Sequence, residues 1–184
     1  MKKQILIFVM LLLPCLSFAE EQNMEKSQVP KFVTFLDERT YAIDEIELVV
    51  ANKDITLALQ YNAVLGIELD AKKKLALLLS PISFKVAFEN RSSTLTSLSA
   101  GGGLSYNIYR SKNNKHVDID VESTVRQTFS GIIGWDYTEY SIGFKKITNK
   151  FGSKTKSGGV GYRYLVSHTY GINDLHCVYL SYSF

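Results

Sequence analysis

The sequence predicts an all-β protein, an eight-stranded antiparallel barrel that crosses a membrane. Three observations predict it: a leader-like N-terminus, eight long segments of alternating polarity, and an aromatic C-terminus. The composition agrees, because 46% of the 184 residues are hydrophobic, 12% are aromatic and only three are proline, which favours β-structure over disorder. The formal charge of +3 is too small for the basic footprint of a nucleic-acid-binding protein, so no nucleic acid is expected as a partner.

The N-terminus has the pattern of a secretory signal. Lys2 and Lys3 precede an apolar run from Ile5 to Leu16, which is shorter than a membrane-spanning helix requires. The sequence Ser17-Phe18-Ala19 then places small residues at the positions of a cleavage site. We therefore expect residues 1–19 to be a signal peptide cleaved near Ala19, with an uncleaved anchor as the alternative. Residues 20–40 read as a polar N-terminal tail.

From residue 41 onward, apolar and polar residues alternate with a period of two, which is the periodicity of a strand. In the clearest stretch, the residues around Val117 and Ile119 face one way and Asp118 and Asp120 face the other. Turn-forming residues separate the segments. The predicted strands are residues 41–50, 55–69, 74–89, 95–110, 116–130, 134–147, 157–170 and 174–184. An additional short strand at residues 32–36 leaves ten strands as the alternative.

The length of these segments favours a membrane barrel at residues 41–184. Most span 10 to 16 residues, whereas ordinary strands average about 5–6 residues and a tilted strand crosses a bilayer in about 9–11 residues. In lipid such a sheet has to close, because an open edge would leave backbone groups unpaired. Periodicity does not say which face points outward, so a soluble lipocalin-like carrier remains an alternative.

The last strand carries a second signal. It places hydrophobic residues at every second position and ends on an aromatic residue, a pattern that resembles the C-terminal assembly signal of bacterial outer-membrane barrels. The resemblance implies an integral protein of the outer membrane, in contact with its lipid and lipopolysaccharide and recognised by the barrel-assembly machinery. The residues that carry it are Val178, Leu180, Tyr182 and Phe184.

Two glycine-containing stretches resemble known families. The stretch from Gly159 to Leu165, followed by the terminal strand, looks like the last hairpin of small OmpA-type barrels. Together, Ala100-Gly101-Gly102-Gly103-Leu104 and Val160-Gly161-Tyr162-Arg163-Tyr164-Leu165 resemble more closely the YfaZ outer-membrane family, over roughly residues 95–184. That family is functionally uncharacterised, so the resemblance implies a location and no chemistry.

The polar strand face predicts an ion-pair network inside the barrel. An eight-stranded barrel has an interior just wide enough for its own side chains, and buried charges are tolerated when they are paired. We therefore expect a lumen that is plugged by side chains, in a barrel of structural or surface-interaction type, with a narrow porin-like channel as the alternative. The predicted network comprises Lys85, Asp118, Asp120, Glu122, Arg126, Glu139, Lys145 and Arg163.

No catalytic residues and no cofactor are expected. The stretch Val160-Gly161-Tyr162-Arg163 resembles the lipid A deacylase barrels. Their His-x-Ser motif falls here on Val166 and His168, so the catalytic histidine of that family is absent. A lipid A-modifying enzyme is therefore kept only as an alternative. A hairpin centred on Ile172 would place His168 beside His176. This pair is a candidate for holding a metal or a lipopolysaccharide phosphate, and a polar pair at the membrane interface is the simpler interpretation.

Overall fold

The structure, a computed structural model, describes residues 39–51, 55–89, 94–111, 116–129, 134–151 and 155–183. The predicted signal peptide, the tail up to residue 38, the additional strand at residues 32–36 and Phe184 lie outside this part of the chain. The strands are β1 (Thr40–Ala51), β2 (Ile55–Glu68), β3 (Leu75–Glu89), β4 (Thr94–Arg110), β5 (Val117–Thr128), β6 (Tyr137–Thr148), β7 (Lys156–Ser167) and β8 (Leu175–Ser183). Each predicted strand agrees with an observed one to within three residues at either end.

The eight strands form a closed antiparallel barrel in chain order. Each strand pairs with the next, and β8 pairs with β1 from Glu45 opposite Ser183 to Ala51 opposite Cys177. The eight-strand prediction is confirmed, because this closure leaves no edge for the two further strands of the alternative. The described residues contain no helix long and apolar enough to cross a membrane.

Each end of the barrel is defined by its connections. β1 begins and β8 ends at one of them, together with the connections at residues 69–74, 111–116 and 149–155; we call this end the terminal rim. β1, β3, β5 and β7 end at the other end of the barrel, which we call the opposite rim; along the chain, residues 52–54, 90–93, 129–136 and 168–174 connect the strands there. None of the seven connections exceeds eight residues, so the strands make up most of the barrel.

The polar strand faces point inward and the apolar faces point outward. In β1 the buried and exposed residues alternate, so that Glu45 and Glu47 are buried while Ile46 and Leu48 are exposed. The other strands repeat this arrangement, and the assignment of residues to faces from their alternation is confirmed. The exposed apolar side chains include Leu59, Ile82, Phe84, Leu104, Ile108, Val125, Ile142, Phe144, Val160, Val178, Leu180 and Tyr182.

A bulge changes the inward-facing positions within β3. The register between β3 and β4 shifts between Ser80 and Ser83, on either side of Pro81. Proline has no backbone N–H to donate to a neighbouring strand and is therefore found at bulges and edges. Even-numbered residues such as Leu78 point inward before the bulge, and odd-numbered residues such as Lys85 do so after it. The bulge thereby places Lys85 in the interior.

The predicted register of the last hairpin is wrong by four positions. His176 lies opposite Tyr164 and not opposite His168, because β7 ends at Ser167 and the turn is centred two residues earlier than Ile172. Gly171 lies in this turn with φ of +83°, a conformation that glycine adopts without steric cost. A shift of four keeps every side chain on its predicted face, so matching polarity did not distinguish the two registers.

Two apolar clusters lie inside the barrel, one toward each rim. The cluster near the terminal rim consists of Tyr41, Ile43, Val64, Ala76, Leu78 and Ile147. The larger cluster near the opposite rim consists of Val49, Ala58, Ala87, Trp135, Tyr137, Leu165, Leu175, Cys177 and Tyr179. The inward-facing residues between them are polar or charged, and this middle layer holds the predicted network except Asp118, which lies opposite Ile147 of the first cluster.

Candidate functional site

Glu139 of β6 is the centre of the interior charge network. Its Oε2 accepts a hydrogen bond from Nζ of Lys85 at 2.6 Å, and its Oε1 lies 2.6 Å from Nη1 of Arg126 and 3.1 Å from Nε of Arg163. All four residues are buried. Arg163 also donates from Nη2 to Glu47 at 2.6 Å. The two carboxylates and three cations form one continuous cluster, in which each buried charge has an opposite charge beside it.

Two lysines bridge the remaining buried acids. Nζ of Lys145 lies 2.8 Å from Glu122 and 3.0 Å from Glu45. Nearer the terminal rim, Nζ of Lys150 lies 2.8 Å from a carboxylate oxygen of Glu68 and 2.8 Å from one of Asp120. Each lysine therefore joins two acids that come from different strands.

Asp118 and Asp120 have partners other than those expected. Asp118 accepts two hydrogen bonds from Arg110, from Nε at 2.8 Å and from Nη2 at 3.2 Å. Asp120 accepts from Lys150, from Ser105 at 3.0 Å and from the side-chain amide of Asn107 at 2.7 Å. Arg110 and Lys150 were missed at the sequence level because one is the last residue of β4 and the other follows β6, where the alternation no longer assigns a face.

The structure thus brings all eight predicted network residues into the interior, and further residues, four buried and one exposed, pair with them or with each other. The predicted residues Lys85, Arg126, Glu139 and Arg163 form one cluster, Lys145 contacts Glu122, and the two aspartates join cations near the terminal rim. The additional members are Glu45, Glu47, Glu68, Arg110 and Lys150. The three glutamates could have been predicted as members, because they lie on the polar face of predicted strands.

Neutral side chains extend the network. Gln60 donates to Asn62 at 2.8 Å and to Ser83 at 2.6 Å, and it accepts from Nη1 of Arg163 at 2.8 Å. Ser83 donates to Asn62 at 2.5 Å. Buried amides and hydroxyls are costly unless their hydrogen bonds are made, and these bonds connect β2 and β3 to the charged cluster.

Aromatic rings cover the cations where the network meets the apolar clusters. Nζ of Lys85 lies 4.3 Å from the ring centre of Tyr137, and the guanidinium of Arg163 lies 4.5 Å from that of Tyr179. At the other side of the network, Nζ of Lys150 lies 4.6 Å from the ring centre of Tyr41. A cation over an aromatic face is stabilised by the ring quadrupole, most strongly when water is excluded.

The two candidate metal-binding histidines are not paired across the last hairpin, and each has another partner. His168 shares a hydrogen bond of 2.8 Å with Thr138, and Nδ1 of His176 bonds the hydroxyl of Tyr162. Asp174, next to them in the loop, accepts from the backbone N–H of Ser167 at 2.9 Å and from Tyr164 at 2.9 Å. These bonds lower the pKa of Asp174, with the Ser167 amide contributing most. Among the described residues no group of three or more histidine, cysteine or acidic side chains is arranged to hold a metal ion.

The arrangement places opposite charges side by side across the interior. Each acid of the predicted network lies within about 3 Å of a lysine or arginine, so each of these buried carboxylates has a cation beside it. This geometry therefore supports a structural role, in which paired charges hold the strands together. The chain matches no family model, no curated protein and no solved structure.

Proposed function

We propose that the protein is an integral outer-membrane β-barrel of structural or surface-interaction type, with a lumen plugged by its own side chains. The observation that carries the proposal is the inverted burial: charges are buried inside, and every strand exposes large hydrophobic side chains outside. A soluble calyx would have the opposite arrangement. Lipid hydrocarbon favours an apolar exterior, and it requires a closed sheet because an open edge would leave backbone groups unpaired.

Strand length and tyrosine placement support the same proposal. The strands contain 9 to 17 residues, at or above the number that a tilted strand needs to cross a bilayer. Outward-facing Tyr140 lies opposite Tyr164 toward the opposite rim, and Tyr106 and Tyr109 lie toward the terminal rim. Tyrosines at two levels are typical of the aromatic belts at membrane interfaces.

The proposal includes an orientation and partners. Both ends of the barrel chain lie at the terminal rim, which we assign to the periplasm, and the opposite rim then faces the outer leaflet and its lipopolysaccharide. In this proposal the leader-like residues 1–19 direct export, and Phe184 is recognised by the barrel-assembly machinery. Membership of the YfaZ outer-membrane family, expected from residues 100–104 and 160–165, belongs to this proposal.

Fractionation of a Gram-negative host that expresses the full chain tests the location. We expect the mature protein in the outer membrane, with a gel mobility that changes on heating. Deleting Phe184 should reduce the heat-modifiable fraction, while Phe184→Tyr, which keeps an aromatic terminus, should preserve it. Recovery of the wild-type chain as a soluble periplasmic protein would overturn the proposal.

Fluorescence quenching by brominated phospholipid tests which face meets lipid. Trp135 is the single tryptophan of the chain and is 1% exposed inside the barrel, whereas Leu180 is 56% exposed on its outside. Wild-type emission should resist the brominated lipid, and Leu180→Trp should add a component that the lipid quenches. An inserted barrel in which Trp135 alone is quenched would contradict the assignment of faces.

A further inference from the structure

The strands differ in length between two opposite sides of the barrel. β2, β3 and β4 contain 14, 15 and 17 residues, whereas β6, β7 and β8 contain 12, 12 and 9. Strands four apart in the order of a closed eight-stranded barrel face each other across the interior, so these two groups of three lie opposite each other. We call the outer face of β2, β3 and β4 the tall side and the outer face of β6, β7 and β8 the short side.

The apolar surface of the tall side extends along whole strands. On β3, every outward-facing residue from Leu75 to Phe88 is apolar. At about 3.3 Å per residue along a strand and a tilt of about 45°, this run covers about 30 Å across a membrane. The apolar band of membrane barrels is about 25 Å tall, so β3 alone provides more than the required height.

Polar residues limit the apolar surface of the short side. On β6, three outward-facing apolar residues lie between Thr138 and Lys146, which also point outward. By the same spacing and tilt, Thr138 and Lys146 are about 19 Å apart across the membrane. This height is about 6 Å less than that of the usual apolar band. The three apolar residues are Tyr140, Ile142 and Phe144.

The other two strands of the short side also carry polar residues at their ends. Lys156, the first residue of β7, is exposed and is a diagonal neighbour of Lys146, which lies opposite Gly158. On β8, His176 is exposed at the end toward the opposite rim. Lysine side chains on a lipid-facing surface keep their ammonium groups in the headgroup region. Lys146 and Lys156 therefore indicate the level of the headgroups at the end of the short side toward the terminal rim.

Tilting of the barrel does not remove the difference between the two sides. A tilt moves one side toward one leaflet and the opposite side toward the other, but it leaves the height of each apolar surface nearly unchanged. A span shorter than the hydrocarbon is accommodated by thinning of the bilayer, by extension of flanking side chains or by oligomerisation. Lys146 can extend toward the headgroups, whereas the short side chain of Thr138, at the other end of the run, cannot. The short side therefore requires either a thinner bilayer or a cover by a second copy.

We propose that the barrel thins the bilayer along its short side and binds there phospholipids with shorter acyl chains than those of the surrounding bilayer. The inference rests on the proposed function, because it requires a barrel that is inserted in lipid. Charge favours lipid over a second copy at this surface. Symmetric packing of two copies on β7, the middle strand of the short side, would place two Lys156 side chains next to each other, whereas lipid phosphates attract the exposed Lys146 and Lys156.

Two isoleucines provide matched positions for a tryptophan probe. Ile142 on β6 is 55% exposed on the short side, and Ile82 on β3 is 54% exposed on the tall side. Ile142→Trp and Ile82→Trp therefore place the same ring on the two sides at equal exposure. Trp135 is 1% exposed inside the barrel and contributes a background that lipid should not quench.

The experiment measures how brominated dioleoylphosphatidylcholine quenches the fluorescence of the full chain folded in vesicles. One mixture contains equal amounts of this lipid and dilauroylphosphatidylcholine, and the baseline mixture replaces the dilauroyl lipid with dioleoylphosphatidylcholine. We expect Ile142→Trp to be quenched about twofold less in the first mixture, because short chains displace long ones where the apolar surface is short. Ile82→Trp should be quenched equally in both mixtures. Equal quenching of Ile142→Trp in both mixtures, or a larger decrease for Ile82→Trp, would overturn the inference.

Two threonines provide matched control variants in the Ile142→Trp background. Thr138 and Thr96 both point outward near the opposite rim, Thr138 on the short side and Thr96 on β4 of the tall side. Thr138→Leu together with Lys146→Leu lengthens the short apolar run and should restore the baseline quenching. Thr96→Leu should leave the difference between the mixtures unchanged. A difference that disappears as the protein-to-lipid ratio rises would assign the short side to contact between copies and overturn the inference.

Failure of the proposed function gives a different result. If neither tryptophan variant is quenched in the baseline mixture, the chain is not inserted in lipid, and the proposed function fails together with this inference. Quenching of both variants without a dependence on acyl-chain length contradicts this inference alone.

Discussion

Arg163 of β7 reaches over β8 to Glu47 of β1, where its Nη2 lies 2.6 Å from Oε2 of the carboxylate. The same guanidinium contacts Glu139 on β6 from the other side. One buried side chain therefore connects strands on both sides of the seam that closes the barrel.

Replacing Arg163 by Leu should strongly destabilise the barrel. The change leaves Glu47 without its arginine and deprives Glu139 of one of three cations in a buried site, and breaking such a pair costs about 3–5 kcal/mol. Urea unfolding in micelles, followed by the fluorescence of Trp135, measures the free energy of unfolding. Val160→Leu, on the outward face of the same strand, is the control and should shift it by less than about 0.5 kcal/mol. Equal effects of the two changes would contradict the interior role of Arg163.

Gly66 and Tyr41 should behave as a coupled pair. The two residues lie opposite each other on β2 and β1, and a Cβ at Gly66 would overlap with the Tyr41 ring. We expect Gly66→Ala to cost about 1–3 kcal/mol through overpacking. In a Tyr41→Ala background the same change should cost much less, and the double-mutant cycle measures this difference. Additive effects would show that the ring does not require the glycine.

The loop between β7 and β8 should loosen in acid. Hydrogen bonds from Ser167 and Tyr164 lower the pKa of Asp174, so the ionised carboxylate is favoured in the folded state. Its contribution is complete above the unfolded value of about 3.9 and is lost as the pH falls through the folded value. Titration of the Ser167 amide shift by nuclear magnetic resonance should give a midpoint below that value. The midpoint should vanish in Asp174→Asn, and a midpoint at or above the unfolded value would contradict the prediction.

The purified protein should show no steady, large conductance in planar bilayers and no sugar-driven swelling of liposomes. The charged middle layer lies between two apolar clusters, and paired charges at low dielectric favour closed contacts over a column of water. Brief, small openings are compatible with one ion pair exchanging partners. A stable conductance that falls when Asp120 or Arg126 is replaced by a bulky apolar residue would favour the channel alternative.

The sequence predicts the strands and their faces because the side-chain period of a strand is fixed at two. Alternation alone places Glu139 and Arg163 on one side and Val160 and Leu180 on the other, and closure of the barrel then follows from strand number and length. The same argument fails where the alternation stops. Lys150 follows the end of β6, and nothing in its neighbours indicates that it turns back into the interior.

Pairing partners were not predictable for a different reason. Glu47 and Arg163 are 116 positions apart, and which cation meets which acid depends on the width and stagger of the closed barrel. The register of the last hairpin depends on turn geometry at Gly171 and on the hydrogen bonds that Asp174 accepts. Matching residues by polarity permits any even shift, so His168 and His176 looked like neighbours.

The seam between β1 and β8 sets the order of events in folding. Seven of the eight strand pairings join neighbours in the chain and form over short loops, whereas the eighth joins residues that lie more than 120 positions apart. Closing a loop of that size carries the largest loop-closure entropy of the eight pairings. The contacts between β1 and β8 that offset this cost cannot form before β8 has been synthesised. Until then the nascent sheet has two open edges that can pair with other chains. The fold therefore requires protection of those edges until β8 pairs with β1, and its rate of closure should depend on how the first and last strands are brought together.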